Sequence, residues 1–181
     1  MMLTAAPAVT AGPLPPAAWA VDYPRSRIGF SATMNSAPFA GSFARWAAQI
    51  SFDPARLAQS RVVARIETAS ARTGDASRDE ALPTDDWFAV RQFPAATFTS
   101  TRIRAAGPGR YVADGQLVIR GAARPVSLPF ALTIAGSAAT MRGVLTIDRR
   151  AFGVGRGQFA STETVGAGVR VEILINARKL R

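Results

Sequence analysis

From Trp19 onward, apolar residues recur at every second position, the period of a strand whose successive side chains point to opposite faces. Ile28, Phe30, Ala32 and Met34 alternate with Arg27, Gly29, Ser31 and Thr33. The alternation returns in Trp46, Ala48, Ile50 and Phe52, in Val62, Ala64 and Ile66, and in Ala96, Phe98 and Ser100. It continues in Tyr111, Ala113, Gly115, Leu117 and Ile119, and in Val126, Leu128, Phe130, Leu132 and Ile134. The last two runs are Met141, Gly143, Leu145 and Ile147, then Val169, Val171, Ile173 and Ile175. Turn chemistry separates the runs at Asp53-Pro54, Gly107-Pro108-Gly109, Gly121 and Gly136-Ser137. Strands so spaced and joined mostly by short turns predict a sandwich or a barrel, and closure into a barrel removes exposed edges.

Residues 70–94 interrupt the alternation. Within them Ser77–Leu82 reads as a short helix and Asp85–Phe88 as a second helical turn, while Thr73-Gly74-Asp75 is a plain turn signal. Several runs are apolar on both faces, as at Val62-Val63, Leu117-Val118-Ile119 and Ile173-Leu174-Ile175. One face can then line an interior while the other buries a helix or a dimer contact. Many positions read as inward are small: Ala32, Ala48, Ala64, Ala96, Ala113, Gly115 and Gly143. A packed core favours large branched side chains, so this pattern predicts a cavity. Eight strands enclose just enough room for side chains or one slender ligand.

Composition narrows the chemistry. Of 181 residues, 48% are hydrophobic and 19% charged, a globular balance. No stretch approaches the ~20 apolar residues of a membrane-spanning helix. The chain has no Cys and no His, which excludes the usual zinc sites, thiol catalysis, His-ligated haem and His-based triads. The net charge of +10 comes almost wholly from arginine, with Lys179 the one lysine. Such a balance suits nucleic acid, an anionic membrane surface or an anionic head group, or simply a solvated surface. A basic stripe interleaved with exposed aromatics is missing, so nucleic acid is not expected as a partner. Residues 1–18 are rich in Ala and Pro and uncharged, and are read as a disordered tail or a truncated signal peptide, with Ala6-Pro7-Ala8 resembling a cleavage site.

Specific residues now carry a resemblance. Val21-Asp22 precedes Ser26-x-Ile28-x-Phe30; then come Gly41-x-Phe43-x-x-Trp46 and Ile50-x-Phe52-Asp53. Thr73 leads to Arg78-Asp79-x-x-Leu82, Asp86-Trp87-Phe88 and Phe93-Pro94-x-Ala96-x-Phe98. Gly115-x-Leu117-x-Ile119-Arg120-Gly121-x-x-Arg124-Pro125-Val126 and Arg150-x-Phe152-Gly153-Val154-Gly155 follow. In this order and spacing they resemble the YceI-like, polyisoprenoid-binding family, from about Trp19 to Ala177. The resemblance implies an all-β domain over residues 19–181: a single eight-stranded antiparallel lipocalin-like barrel with a short helical insertion at residues 75–90, near the mouth. It implies a non-enzymatic carrier of a long apolar ligand, a polyisoprenoid, isoprenoid quinone or similar amphiphile, in a periplasmic protein able to form a homodimer. A cytochrome b561-like membrane partner is a further implication. No cofactor is expected beyond a bound lipid or quinone.

On such a barrel the expected lipid-contacting side chains are Phe30, Met34, Phe43, Trp46, Ile50, Phe52, Ile66, Phe88, Phe98, Leu117, Ile119, Phe130, Leu132, Leu145 and Phe152. Phe43, Trp46 and Phe88 read equally well as ordinary core. Arg78 and Asp79 are candidates for the mouth and head group, or else a surface ion pair holding the insertion to the barrel. Arginines near the mouth are expected to hold an anionic or quinone head. Asp85-Asp86 reads as a helix cap followed by a dipole-favouring acid instead of an acid–base pair. Gly153-x-Gly155-x-Gly157 lacks the context of a phosphate loop and reads as a strand bend or bulge. The chain departs from the family at Arg25, where His is frequent, at Glu80-Ala81 and at Trp87. A scavenger of fatty acids or amides, and a lipid-acting enzyme without His or Cys, are the alternatives.

Overall fold

The structure is a computed structural model describing residues 16–181; the reading of residues 1–18 as tail or signal lies outside the described residues up to residue 15, whereas Ala17 accepts the Phe52 N–H and Ala18 already belongs to the first strand. All strand pairing is antiparallel. The chain begins with β1 (Ala18–Val21), turns through a 3₁₀ segment at Tyr23–Arg25, and continues as β2 (Arg27–Met34). It returns as β3 (Ala37–Phe43) and β4 (Trp46–Ser51), kinked at Ala44-Arg45, then runs up again as β5 (Arg61–Glu67) and β6 (Ala71–Arg72). Each of these pairs makes one stave. After α1 (Ala76–Ala81) come five long strands: β7 (Ala95–Ala105), β8 (Arg110–Ile119), β9 (Ala122–Ala135), β10 (Ala138–Asp148) and β11 (Gly168–Lys179).

The result is a closed eight-stave meander. β11 closes it by pairing with both halves of the first stave, Trp19 opposite Lys179 on β1 and Phe30 opposite Val171 on β2. The eight predicted runs are all strands. β1, β3 and β6 carry no alternation signal strong enough to predict them. Pro38 and Gly41 interrupt β3, and β6 has only two residues. Proline also enters the long strand β9, at Pro125 and Pro129. Both precede Phe130, where pairing of β9 with β10 begins, so neither missing N–H is needed in that ladder. Beside that unpaired part of β9 packs the 3₁₀ turn Arg149–Phe152.

The insertion differs from expectation in its second half. Asp75, read as a plain turn residue, is the N-cap of α1, its side chain accepting the Arg78 N–H at 2.9 Å. Pro83 has no N–H to extend the helix. Residues beyond it fold into tight turns, the Thr84 carbonyl accepting from both Trp87 and Ala89. Asp85-Phe88 is therefore not a helical turn, and Asp85 and Asp86 cap nothing. Their carbonyls instead accept from elsewhere: that of Asp85 from the Arg120 guanidinium, that of Asp86 from the Gly155 and Arg156 N–H groups.

Two apolar clusters fill the ends of the barrel. One joins Trp19, Phe52, Ile103, Ala113, Leu128, Ile175 and Ala177 near the β9–β10 hairpin. The other joins Ile28, Ile66, Ala96, Leu117, Ile119, Phe152 and Val154 at the α1 end. Trp46, Phe98 and Leu145 pack against both.

Candidate functional site: an apolar bore

A cavity of about 200 Å³ runs inside the barrel between these clusters. Its lining takes residues from β1, β2, β3, β4, β5, β7, β8, β9, β10 and β11, together with Phe52 at the end of β4. Period two explains the selection. On β4, Trp46, Ala48 and Ile50 face in; on β11, Val171, Ile173, Ile175 and Ala177 do so. Every lining residue is Ala, Val, Ile, Leu, Met, Phe or Trp. The only side-chain polar atoms available to this wall are two indole N–H groups, and that of Trp19 is donated to the Phe52 carbonyl at 3.0 Å. The lining holds no nucleophile, acid or base.

Of the predicted contact residues, Phe43, Trp46, Ile50, Phe52, Ile66, Phe98, Leu117, Ile119, Phe130, Leu132 and Leu145 converge on the bore. Phe30, Met34, Phe88 and Phe152 lie outside its lining. Phe30 and Phe88 pack against Phe43 with tilted rings, their centroids 5.3 and 6.1 Å away. Phe152 is buried with Val154, and Met34 bridges to Val165. Phe30 and Phe88 thus cluster on Phe43, while Phe152 belongs to the buried cluster at the α1 end. Helix α1 contributes no lining residue, whereas Ile134, at the β9–β10 hairpin, lines the bore and is 38% exposed.

Sequence reasoning missed Trp19, Ile28, Val62, Leu128, Ile134, Ala139, Met141, Ile147, Val171, Ile173, Ile175 and Ala177 as lining. Most were within reach: Ile28 is two residues from Phe30 and Leu128 two from Phe130, on the same faces. Of the small residues read as inward, Ala48, Ala64 and Ala113 border the cavity. Ala32 and Ala96 do not line it, Ala96 being buried in the cluster at the α1 end; Gly115 and Gly143 make room for neighbours, and a Cβ at Gly115 would stand 2.8 Å from the Phe98 ring.

The polar candidates are engaged elsewhere. Both the N–H and the hydroxyl of Thr73 donate to the Asp79 carboxylate at 2.7 Å. The hydroxyl bond first, then the N–H bond, hold its carboxyl below the usual aspartate value. Arg78 donates to the Thr73 hydroxyl, faces Asp75 at 3.9 Å and lays its guanidinium over the Phe39 ring at 4.8 Å. The two residues do not pair with each other; both tie α1 to Thr73, and Arg78 also reaches Phe39. Trp87 packs on Phe159, with centroids 5.0 Å apart, and under the Arg149 guanidinium at 5.7 Å. Gly153, Gly155 and Gly157 all have left-handed φ, of 68°, 80° and 58°. They form a loop wrapped around Arg149 instead of bending a strand.

A closed antiparallel barrel of lipocalin-like form around a wholly apolar bore defines the class of protein. The family model for the YceI-like domain matches residues 19–177, and the chain belongs to that family. It is similar to Burkholderia cenocepacia BcnA, with 34% identity and a TM-score of 0.84 over 87% of this chain and 99% of that one. A UPF0312 protein of Pseudomonas savastanoi pv. phaseolicola is 26% identical over 158 residues, 84% of this chain and 79% of its own length. A polyisoprenoid binding domain from Saccharophagus degradans shares the fold, with a TM-score of 0.70 at 15% identity over 90% of this chain and 98% of that one.

Proposed function

We propose that this protein binds and carries a long, slender apolar molecule, a polyisoprenoid, isoprenoid quinone or similar amphiphile, inside the barrel and performs no chemistry on it. The observation that carries the reading is the bore itself, whose lining is apolar from Trp19 at one end to Ile119 at the other. Burial of each methylene contributes about 0.8 kcal/mol, so a chain of several isoprene units gains affinity by length without a strong polar contact. Membership of the YceI-like family and the shared fold of the Saccharophagus polyisoprenoid binding domain support a ligand of this shape. The proposal includes a periplasmic location, which fractionation of cells expressing the natural gene tests.

Solvent extraction of the purified protein followed by lipid mass spectrometry is the direct test. A stoichiometric amphiphile, or saturable uptake of polyprenol or ubiquinone by stripped protein, is expected. Recovery of no lipid together with no uptake overturns the proposal.

A further inference from the structure

The outer wall of the barrel carries a basic face. Period two turns Arg27 and Leu174 outward, since their neighbours Ile28 and Ile173 line the bore. The ladder sets Arg142 opposite Leu174 and Leu174 opposite Arg27, so three strands place two arginines around one leucine on the outer surface. Beyond the Tyr23–Arg25 turn, Arg65 stands opposite Ala47, and both are exposed. Between lies a depression lined by Arg25, Arg27, Arg45 and Arg65 against a single acid, Glu67. Glu67 is taken by Arg45 at 2.5 Å. Arg25, Arg27, Arg65 and Arg142 make no ion pair among the described residues, and all four are exposed.

Apolar groups sit among these charges. Tyr23 is 43% exposed, Pro24 is exposed beside it, and Phe43, Trp46 and Leu174 line the depression. The Tyr23 ring meets Trp46 edge-on at 5.0 Å and its hydroxyl accepts the Ala48 N–H at 3.3 Å, which holds the ring at the rim. Unpaired arginine beside exposed tyrosine is the composition of a surface that lies on a membrane. Guanidinium forks take lipid phosphates, and an aromatic ring with one polar end suits the head-group layer. A rigid acidic protein would need a projection matched to the depression, whereas the lipids of a bilayer move individually and fill it.

We infer that the Tyr23–Arg25 turn, with Arg27, Arg65 and Arg142 around it, is the face by which the protein docks on an anionic bilayer surface. Each guanidinium near such a surface strengthens binding about fivefold, so the four unpaired arginines give a reversible docking that salt weakens. Phe43 and Trp46 line both the depression and the bore, so docking sets the bore's wall against the bilayer. This goes beyond the carrier reading and does not depend on it, because an empty barrel presents the same arginines.

Flotation of the full chain with vesicles of equal parts phosphatidylglycerol and phosphatidylcholine, against phosphatidylcholine alone, is the test. Binding to the anionic vesicles only is expected, fading between about 0.1 and 1 M salt. Arg25→Gln/Arg65→Gln should weaken it about twenty-fivefold. Arg102→Gln/Arg110→Gln removes the same charge from β7 and β8, across the barrel, and should change it less than about twofold. All four of these arginines are exposed and outside any ion pair among the described residues, and circular dichroism checks that both variants keep the barrel. Because the chain has no Cys, Ala47→Cys and Gln116→Cys each accept one environment-sensitive fluorophore. The label at 47, in the depression, should brighten on anionic vesicles, and that at 116, on β8, should not. Equal loss in the two arginine variants means that net charge alone holds the protein and overturns the face. So does brightening at 116 instead of 47, or no vesicle binding at all. Binding of poly-L-glutamate in place of vesicles marks an acidic protein partner and also overturns it. All of these outcomes leave the carrier reading standing, since that reading is decided by lipid extracted from the barrel.

Discussion

Ala48 and Ala64 stand directly opposite each other on β4 and β5, and both line the bore. Two methyl groups thus occupy a level where paired branched side chains would close it. Ala64→Phe is expected to plug the bore and shorten the apolar length open to a ligand. Excluding two or three methylenes costs about 2 kcal/mol, or roughly a thirtyfold loss of affinity. Thermal shift in the presence of polyprenol gives the readout, because a ligand that binds only the native state raises the melting temperature by mass action. The ligand-dependent rise should shrink markedly in Ala64→Phe while its far-ultraviolet circular dichroism matches the natural protein. An unchanged rise would place the ligand outside the barrel.

A second fit lies between β2 and β3. Gly41 lies opposite Phe30, and a Cβ at 41 would stand 2.9 Å or less from the Phe30 ring and 2.6 Å from the Arg72 carbonyl. Gly41 does not have a left-handed φ, so the constraint is space and not backbone conformation. Gly41→Ala is expected to destabilise the barrel by about 1–3 kcal/mol, the usual cost of overpacking. Pairing it with Phe30→Leu should recover part of that loss, since the ring gives way and the Arg72 carbonyl does not. Urea denaturation of the double-mutant cycle measures the coupling.

These fits mark where the sequence could be read and where it could not. Alternation exposes every long stave, because one face of each strand meets the interior and the other meets solvent. It reveals nothing of β3, whose Pro38 sits on a short ladder and whose Gly41 is there for the ring of Phe30. The bore was legible as a set of faces, so Phe98, Leu117 and Phe130 were found along with their small neighbours. Its ends were not. Phe30, Phe88 and Phe152 carry the same apolar signature as lining residues, and only the three-dimensional path of the insertion and of the Gly153–Gly157 loop takes them out of the lining. Arg78 and Asp79 were found as a polar pair but not as partners of Thr73, Asp75 and Phe39, contacts that depend on how α1 lies on the barrel.

The absence of His shapes the response to pH. Asp79 is held low chiefly by the Thr73 hydroxyl, Asp53 by the Ala55 N–H, Asp114 by Arg104 and Asp148 by Arg150. A carboxyl whose pKa is lower folded than unfolded contributes stability that is complete above its unfolded value, about 3.9, and is lost as pH falls through the folded value. With no His to titrate, stability is expected to be flat from about pH 5 to pH 8 and to fall below about pH 4. Asp79→Asn should lower stability at neutral pH and shallow the acid limb. Urea midpoints between pH 2.5 and 8 decide it, and a transition near pH 6.5 would contradict the assignment.

Arg149 anchors the loop at the α1 end. It is 2% exposed, yet its ion-pairing neighbour Asp148 is bound to Arg150 instead. Its guanidinium donates to six main-chain carbonyls, those of Gly166, Val154, Gly155, Phe159, Ser161 and Val165, at 2.7 to 3.2 Å. Burial, and then the nearby Arg150, push its pKa down, and the ring of carbonyls is what keeps a buried cation tolerable. Gly155 completes the arrangement, because a Cβ there would collide with the guanidinium. Lysine offers three donors from one point and cannot replace a planar fork of five. Arg149→Lys and Arg149→Met are therefore both expected to cost about 3–5 kcal/mol, as carbonyls are left buried without donors. The loss should be local first: hydrogen exchange in residues 153–166 should rise well before the β7–β8 ladder loosens. If Arg149→Lys keeps the exchange protection of that loop, charge alone holds it and the fork geometry is irrelevant.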